Sequence, residues 1–225
     1  MSLVSMTTLR RALLVAGIAS TSLVAGMAMS NPRYAADAKR AETAMANTPT
    51  WLANLKGKHR QLFDAPASGG GIPLIHMLNF YDTYNKAFGV EDKDINGVLT
   101  FYGSTTFHGL SDEMWAKYKL GEFLGEKDAA GNAFTVNPWR TSPLVIGAPL
   151  PAASIESMQK RGATFIICNN ALTIFSGMVA KQRGLDAAAV YADMKANILP
   201  NVTLVPGMVV AIEQAQVAGL TYHRQ

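Results

Sequence analysis

Cys168 is the single cysteine of the chain, and it closes the apolar run Ala163-Thr164-Phe165-Ile166-Ile167. A thiol at the C-terminal end of a core strand, facing the N-terminus of the next helix, is held toward the thiolate and becomes a nucleophile. Open α/β sheets also bind ligands beyond the carboxyl ends of their strands. The competing reading is a small hydrophobe that merely ends a buried strand, a common place for a free cysteine. Asn169 and Asn170 follow directly. They offer amides to an anionic or sulfur ligand, or else simply cap the next helix. His108 ends a turn after the apolar residues 98–102, at the sheet edge that Cys168 would share. There it serves as base for the thiol or stands in water. His76, with Asn79 and Asn85, interrupts an otherwise apolar helical stretch and reads as a ligand-binding residue or as an ordinary helix histidine. His59 and His223 carry no signal.

One cysteine excludes a disulfide framework, a Cys-rich zinc site and an internal dithiol switch. No spacing of His, Asp and Glu suggests a metal site, although His76 and His108 are candidates to converge. Of the 11 methionines, Met1, Met6, Met27 and Met29 fall in the first 30 residues and the rest are scattered, which argues against a copper-binding cluster. No Walker loop, dinucleotide fingerprint, nucleophile elbow or haem-attachment pair occurs, so no cofactor is expected.

These residues need elements to position them. Ile72 to Phe88 places Leu74, Met77, Leu78, Tyr81, Tyr84 and Phe88 at helical spacings. Val98-Leu99-Thr100-Phe101-Tyr102 reads as a strand ending at Gly103, with a turn to His108 and a helix beginning at Ser111-Asp112-Glu113. Ser111 is the expected N-cap. The stretch 121–150 holds four glycines, three prolines and few apolar repeats, and reads as an inserted loop or flap. Ser154 to Arg161 reads as a helix, and 163–168 as a central strand apolar on both faces. A helix over 171–182 follows, then one opening at Gly184-Leu185-Asp186, then a strand at 201–205. A helix from Met208 to Ala218 and an edge strand at 220–223 complete the chain. Strand and helix alternate, which predicts an α/β fold: a three-layer sandwich on a mostly parallel central sheet.

Length suits one domain. Residues 1–30 hold no acidic residue, only Arg10 and Arg11 as charges, an apolar run over 12–29 and the small-residue exit Ala28-Met29-Ser30. This is the pattern of a cleaved signal peptide; a retained anchor is the other reading. Thr8-Leu9-Arg10-Arg11-Ala12-Leu13-Leu14 resembles a twin-arginine signal, although Leu13 stands where Phe is usual. The general secretory route is the alternative. Either predicts a soluble periplasmic protein that meets the membrane only during export. Without Arg10 and Arg11, Lys+Arg falls from 20 to 18 against 16 Asp+Glu, and the net charge from +4 to +2. No basic stripe interleaves with aromatics, so nucleic acid is not an expected partner. Residues 31–71 read as an N-terminal helix (33–47) and a linker, and 72–225 as the domain.

The order Gly162-Ala163-Thr164-Phe165-Ile166-Ile167-Cys168-Asn169-Asn170, helix, Val202-Thr203-Leu204-Val205-Pro206-Gly207, helix, Gly219-Leu220-Thr221-Tyr222 resembles the DsrE/DsrF-like family. The resemblance runs from about Pro73 to Tyr222 and extends to exported members with twin-arginine-type signals. It implies a small α/β protein that forms homo-oligomers and relays sulfur as a persulfide on the strand-end cysteine, here Cys168. Export and the lack of a second cysteine depart from the cytoplasmic relays. The expected function is therefore handling of a small sulfur species through Cys168, with His108 and Asn169 nearby. The alternative is a non-enzymatic periplasmic binding or scaffold protein that presents the 121–150 flap to an unidentified small ligand or a partner.

Overall fold

The computed structural model describes residues 49–225. The signal at 1–30 and the helix expected at 33–47 lie outside the described residues. In chain order the elements are α1 (Thr50–Ala53), β1 (His59–Asp64), α2 (Ile72–Phe88), β2 (Ile95–Phe101), α3 (Asp112–Tyr118), α4 (Leu120–Leu124), β3 (Leu144–Val145), β4 (Ala148–Pro149), α5 (Ile155–Lys160), β5 (Thr164–Cys168), α6 (Asn169–Arg183), α7 (Ala187–Ala196), β6 (Val202–Val205), α8 (Met208–Val217) and β7 (Thr221–Arg224). Five strands form one parallel sheet in the order β6-β5-β2-β1-β7, and β3 pairs with β4 in a small hairpin. Helices cover both faces. The fold is the expected α/β three-layer sandwich.

The central strands show why. β2 (INGVLTF) and β5 (TFIIC) are buried along nearly their whole length, as strands covered on both faces must be. Alternate side chains then feed two cores. Phe63, Leu99, Phe101, Phe165 and Ile167 pack with α2, α3, α5, α6 and α7. Leu62, Val98, Ile166, Cys168 and Val205 pack with α1 and α8 on the opposite face. From β1 to β6 the chain steps across the sheet in one direction, and its crossover helices share one face. From β6 to β7 it turns back past β1, so a right-handed crossover must take the other face, where α8 lies.

The sheet reaches further toward the N-terminus than the reading of 31–71 as helix and linker allows. β1 sits inside the sheet, hydrogen-bonded to β2 on one side and β7 on the other. Its first half, His59-Arg60-Gln61, is only partly buried, and only Leu62, Phe63 and Asp64 are fully so. Two buried apolar residues, Leu62 and Phe63, are too few for a hydrophobic run to announce the strand.

The 121–150 stretch is packed against the domain. The side-chain amide of Asn137 donates to the carbonyls of His108 and Leu110, both at 2.7 Å, and Arg140 bridges Asp112 and Glu156. Gly121 permits this closeness, since a Cβ there would meet Phe134 backbone, its nitrogen at 2.6 Å. Ser111 occupies the N-cap position of α3, yet its hydroxyl makes no capping bond and is buried without a partner.

Arg161 fastens the end of α5 to α2. Its guanidinium donates to Asp82 (2.7 Å), Asp92 (2.9 and 3.1 Å) and Asn85 (2.6 Å) and lies 5.0 Å from the Tyr81 ring centroid. Asp92 is held below its ordinary value, chiefly by the hydrogen bond from Arg161; Asp82 is lowered first by Lys86 and then by Arg161. Depressed carboxylates stabilise the fold above their unfolded value of about 4, and that contribution is lost as pH falls from there through their lower folded value. Both aspartates are about one third exposed, so Arg161→Ala is expected to cost only about 1 kcal/mol at pH 7. The gap between wild type and variant, read from urea midpoints, should shrink below pH ~4. An equal gap at both pH values would assign the effect to packing on Tyr81 instead.

Candidate functional site

Cys168 is the last residue of β5 and the N-cap of α6. Its sulfur accepts the Ala171 N–H at 3.4 Å and the Met208 N–H at 3.3 Å. Met208 is the first residue of α8, so two helices direct their N-terminal amides at one atom. Helix N-termini carry partial positive charge and unsatisfied donors, which together favour an anion. The thiol itself is 5% exposed, beneath Met208, Val205 and Ile166.

Asn169 and Asn170 are therefore the first residues inside α6, and the cap expected of them is Cys168 itself. The Asn169 side-chain oxygen accepts the Tyr191 hydroxyl at 2.6 Å, tying α6 to α7. Asn170 is exposed, and its backbone N–H donates to the Pro206 carbonyl at 3.3 Å, holding the turn before α8. Both residues thus frame Cys168 structurally.

His108 belongs to the other core. Strand alternation puts Ile167 and Cys168 on opposite faces, and the turn after β2 carries Phe107 and His108 to the Ile167 face. The fully buried imidazole lies 4.1 Å from the Trp139 ring and 5.3 Å from Trp115, centroid to centroid. Its Nε2 is 3.1 Å from a Glu126 carboxylate oxygen, so this nitrogen carries the proton, and Nδ1 has no partner. His108 is thus paired to Glu126, not to the thiol.

His76 also stands apart. Its Nδ1 is 2.6 Å from Gln225 Oε1, and its ring meets His223 edge-on at 5.2 Å, beside edge strand β7. Among the described residues no group of three or more His, Cys, Asp or Glu side chains is placed to hold a metal. Also among them, no helix is long and apolar enough to cross a membrane.

What shares the Cys168 face is a set that sequence reading did not single out. Asp64, at the end of β1, is 5% exposed. Its carboxylate accepts the Tyr222 hydroxyl at 2.5 Å and the Thr100 hydroxyl at 3.4 Å. Tyr102 completes it. The β2–β5 ladder pairs Phe101 with Ile167, so one further step sets Tyr102 beside Cys168 on the same face. Burial, then the adjacent Asp64 carboxylate, raises the Tyr102 phenol far above its ordinary value. Tyr222 is raised first by its bond to Asp64 and then by burial. A readable signal existed. Asp64 is an acidic residue directly after Leu62-Phe63, and strand order reverses between β1 and β7, the crevice where open α/β sheets bind ligands.

Compared with known proteins, the chain matches no family model, no curated protein and no solved structure.

Proposed function

We propose that this protein carries sulfane sulfur on Cys168. The observation that supports it is the convergence of the Ala171 and Met208 N–H groups on the one cysteine sulfur. The reaction these donors suit is transfer without redox. The thiolate attacks the outer sulfur of thiosulfate, the S–S bond to sulfite breaks, and sulfite leaves with the electron pair. The anionic persulfide left on Cys168 then occupies the position between the two helix ends, and an acceptor thiol removes the sulfur by the reverse attack. The resemblance of the strand–helix order around Cys168 to DsrE/DsrF-like proteins supports the same chemistry. The signal-like segment at 1–30 would place this carrier in the periplasm, apart from the cytoplasmic relays. Assembly as a homo-oligomer belongs to the same proposal. His108 has no part in the reaction.

Intact-mass spectrometry after incubation with thiosulfate is expected to show a gain of about 32 Da, one sulfur atom, that dithiothreitol removes. The Cys168→Ala variant should show none. An unmodified wild-type chain under conditions that label free glutathione would overturn the proposal. That outcome would favour the non-enzymatic binding or scaffold protein.

A further inference from the structure

A cavity of about 210 Å³ opens on the sheet face opposite Cys168, between the loop after β1 and the 121–150 stretch. Ser68, Glu126, Lys127, Phe134 and Trp139 are among its walls. Three features of these walls restrict what fits.

The first is a fixed carboxylate. Glu126 keeps only 18% of its side chain exposed. Burial pushes its carboxyl up, but the hydrogen bond to His108 outweighs this and sets it below its ordinary value. Glu126 is therefore an anion in a partly dry wall, and His108 engages only one of its oxygens, Oε2, which leaves the other for a second partner. The second is aromatic lining. Trp139, 3% exposed and tilted at 43° against His108, and Phe134 both line the cavity, and aromatic rings attract ammonium groups that approach their faces. The third is Lys127, an exposed residue lining the same cavity and the next in sequence after Glu126. Its cation disfavours a ligand that is a cation alone.

We infer that this cavity binds a small zwitterion, an amino-acid-like molecule whose ammonium seats on Glu126 between Trp139 and Phe134 and whose acid group faces Lys127. The volume accommodates about seven waters at ~30 Å³ each, which suits a ligand of fewer than about ten non-hydrogen atoms. The site is independent of Cys168. His108 takes a positioning role here. Its Nε2–H fixes the Glu126 carboxylate, and its ring backs Trp139.

The test uses the full chain and three probes: trimethylglycine as the zwitterion, tetramethylammonium as the cation alone and acetate as the anion alone. Tryptophan fluorescence and calorimetry are expected to show saturable binding of trimethylglycine at least tenfold tighter than of either single-charge probe. Glu126→Gln should weaken it tenfold or more. Lys127→Ala, an exposed and foldable change, should abolish the preference for the zwitterion over tetramethylammonium. The signal should vanish in Trp139→Phe with calorimetric binding retained, which places the ligand at that ring. Equal binding of cation and zwitterion by wild type overturns the inference, as does absence of saturable binding. A Lys127→Ala protein with unchanged selectivity does so too. The thiosulfate adduct on Cys168 should be unaffected by any of these variants, so the two proposals fail separately.

Discussion

Trp115→Ala is expected to remove a large share of the domain's stability. The indole is fully buried, donates its N–H to the Phe107 carbonyl at 2.8 Å and packs edge-on to His108. Emptying a site of this size costs about 3–5 kcal/mol in lost transfer energy and residual cavity. The stranded Phe107 carbonyl adds about 1 kcal/mol or more. Domains of this kind are stable by about 5–15 kcal/mol in total, so the melting temperature should fall by on the order of 10 °C or the chain should fail to fold. Trp115→Phe separates the two contributions, since it keeps most of the volume and loses only the donor. It should cost about 1–2 kcal/mol. Urea midpoints at constant slope measure both. A loss below ~2 kcal/mol for the alanine variant would mean that the neighbouring rings close the gap.

Asp64→Asn is expected to have the next largest effect, about 2–3 kcal/mol, because it replaces the charged acceptor of a buried cluster with a neutral one. It also has a signature that packing damage lacks. Tyr102 is raised first by burial and then by the Asp64 carboxylate, Tyr222 first by Asp64 and then by burial. A group whose folded value is raised contributes stability that is complete below its unfolded value, here about 10, and is lost as pH rises through the folded value. Wild-type stability should therefore decline with alkali from pH ~10 upward, and the decline should be shallower in Asp64→Asn. Tyr81 supplies an internal control. Burial pushes it up to about 12, and Asp64 is not among the causes. Ultraviolet titration should show two phenols moving down in the variant and Tyr81 staying in place. If all tyrosines titrate as in wild type, Asp64 does not hold the cluster.

The two halves of the sheet differ in how openly their residues declare them. Phe165-Ile166-Ile167-Cys168 is apolar on both faces, so its burial and its central place follow from composition alone, and with them the position of Cys168 at a strand end. β1 hides, because His59, Arg60 and Gln61 spend their length at the sheet's half-exposed end. Missing β1 meant missing Asp64 and, through it, the partners of Tyr102 and Tyr222. His108 illustrates another limit. Its closeness to the C-terminal ends of the strands was legible, but side-chain alternation decides which face a group serves, and only the packing of Phe107, Trp115 and Trp139 settles it. The Glu126 that it meets lies 18 residues on, in a stretch with no periodicity to read. The cap of α6 was misplaced for a simpler reason. Asparagine is the better capping residue in general, yet α6 begins one residue too early for Asn169 to cap it, and the sulfur of Cys168 takes the amide instead.

The pairing of β7 with β1 has a bearing on how the chain is made. The Thr221 hydroxyl bonds the Arg60 carbonyl across 161 residues of chain, and the sheet's last ladder spans residues 61–64 and 221–224. Closing a loop of that length costs on the order of 4–5 kcal/mol in chain entropy, a cost met only when the final strand is available. On the ribosome, β1 and β2 emerge early, but one edge of β1 stays open until residues 221–224 have been made and have cleared the exit tunnel. A nascent or truncated chain ending before Thr221 would display that edge as a template for strands of other molecules. The native sheet is thus sealed only after synthesis has passed β7, and residues 221–224 act as its closing step.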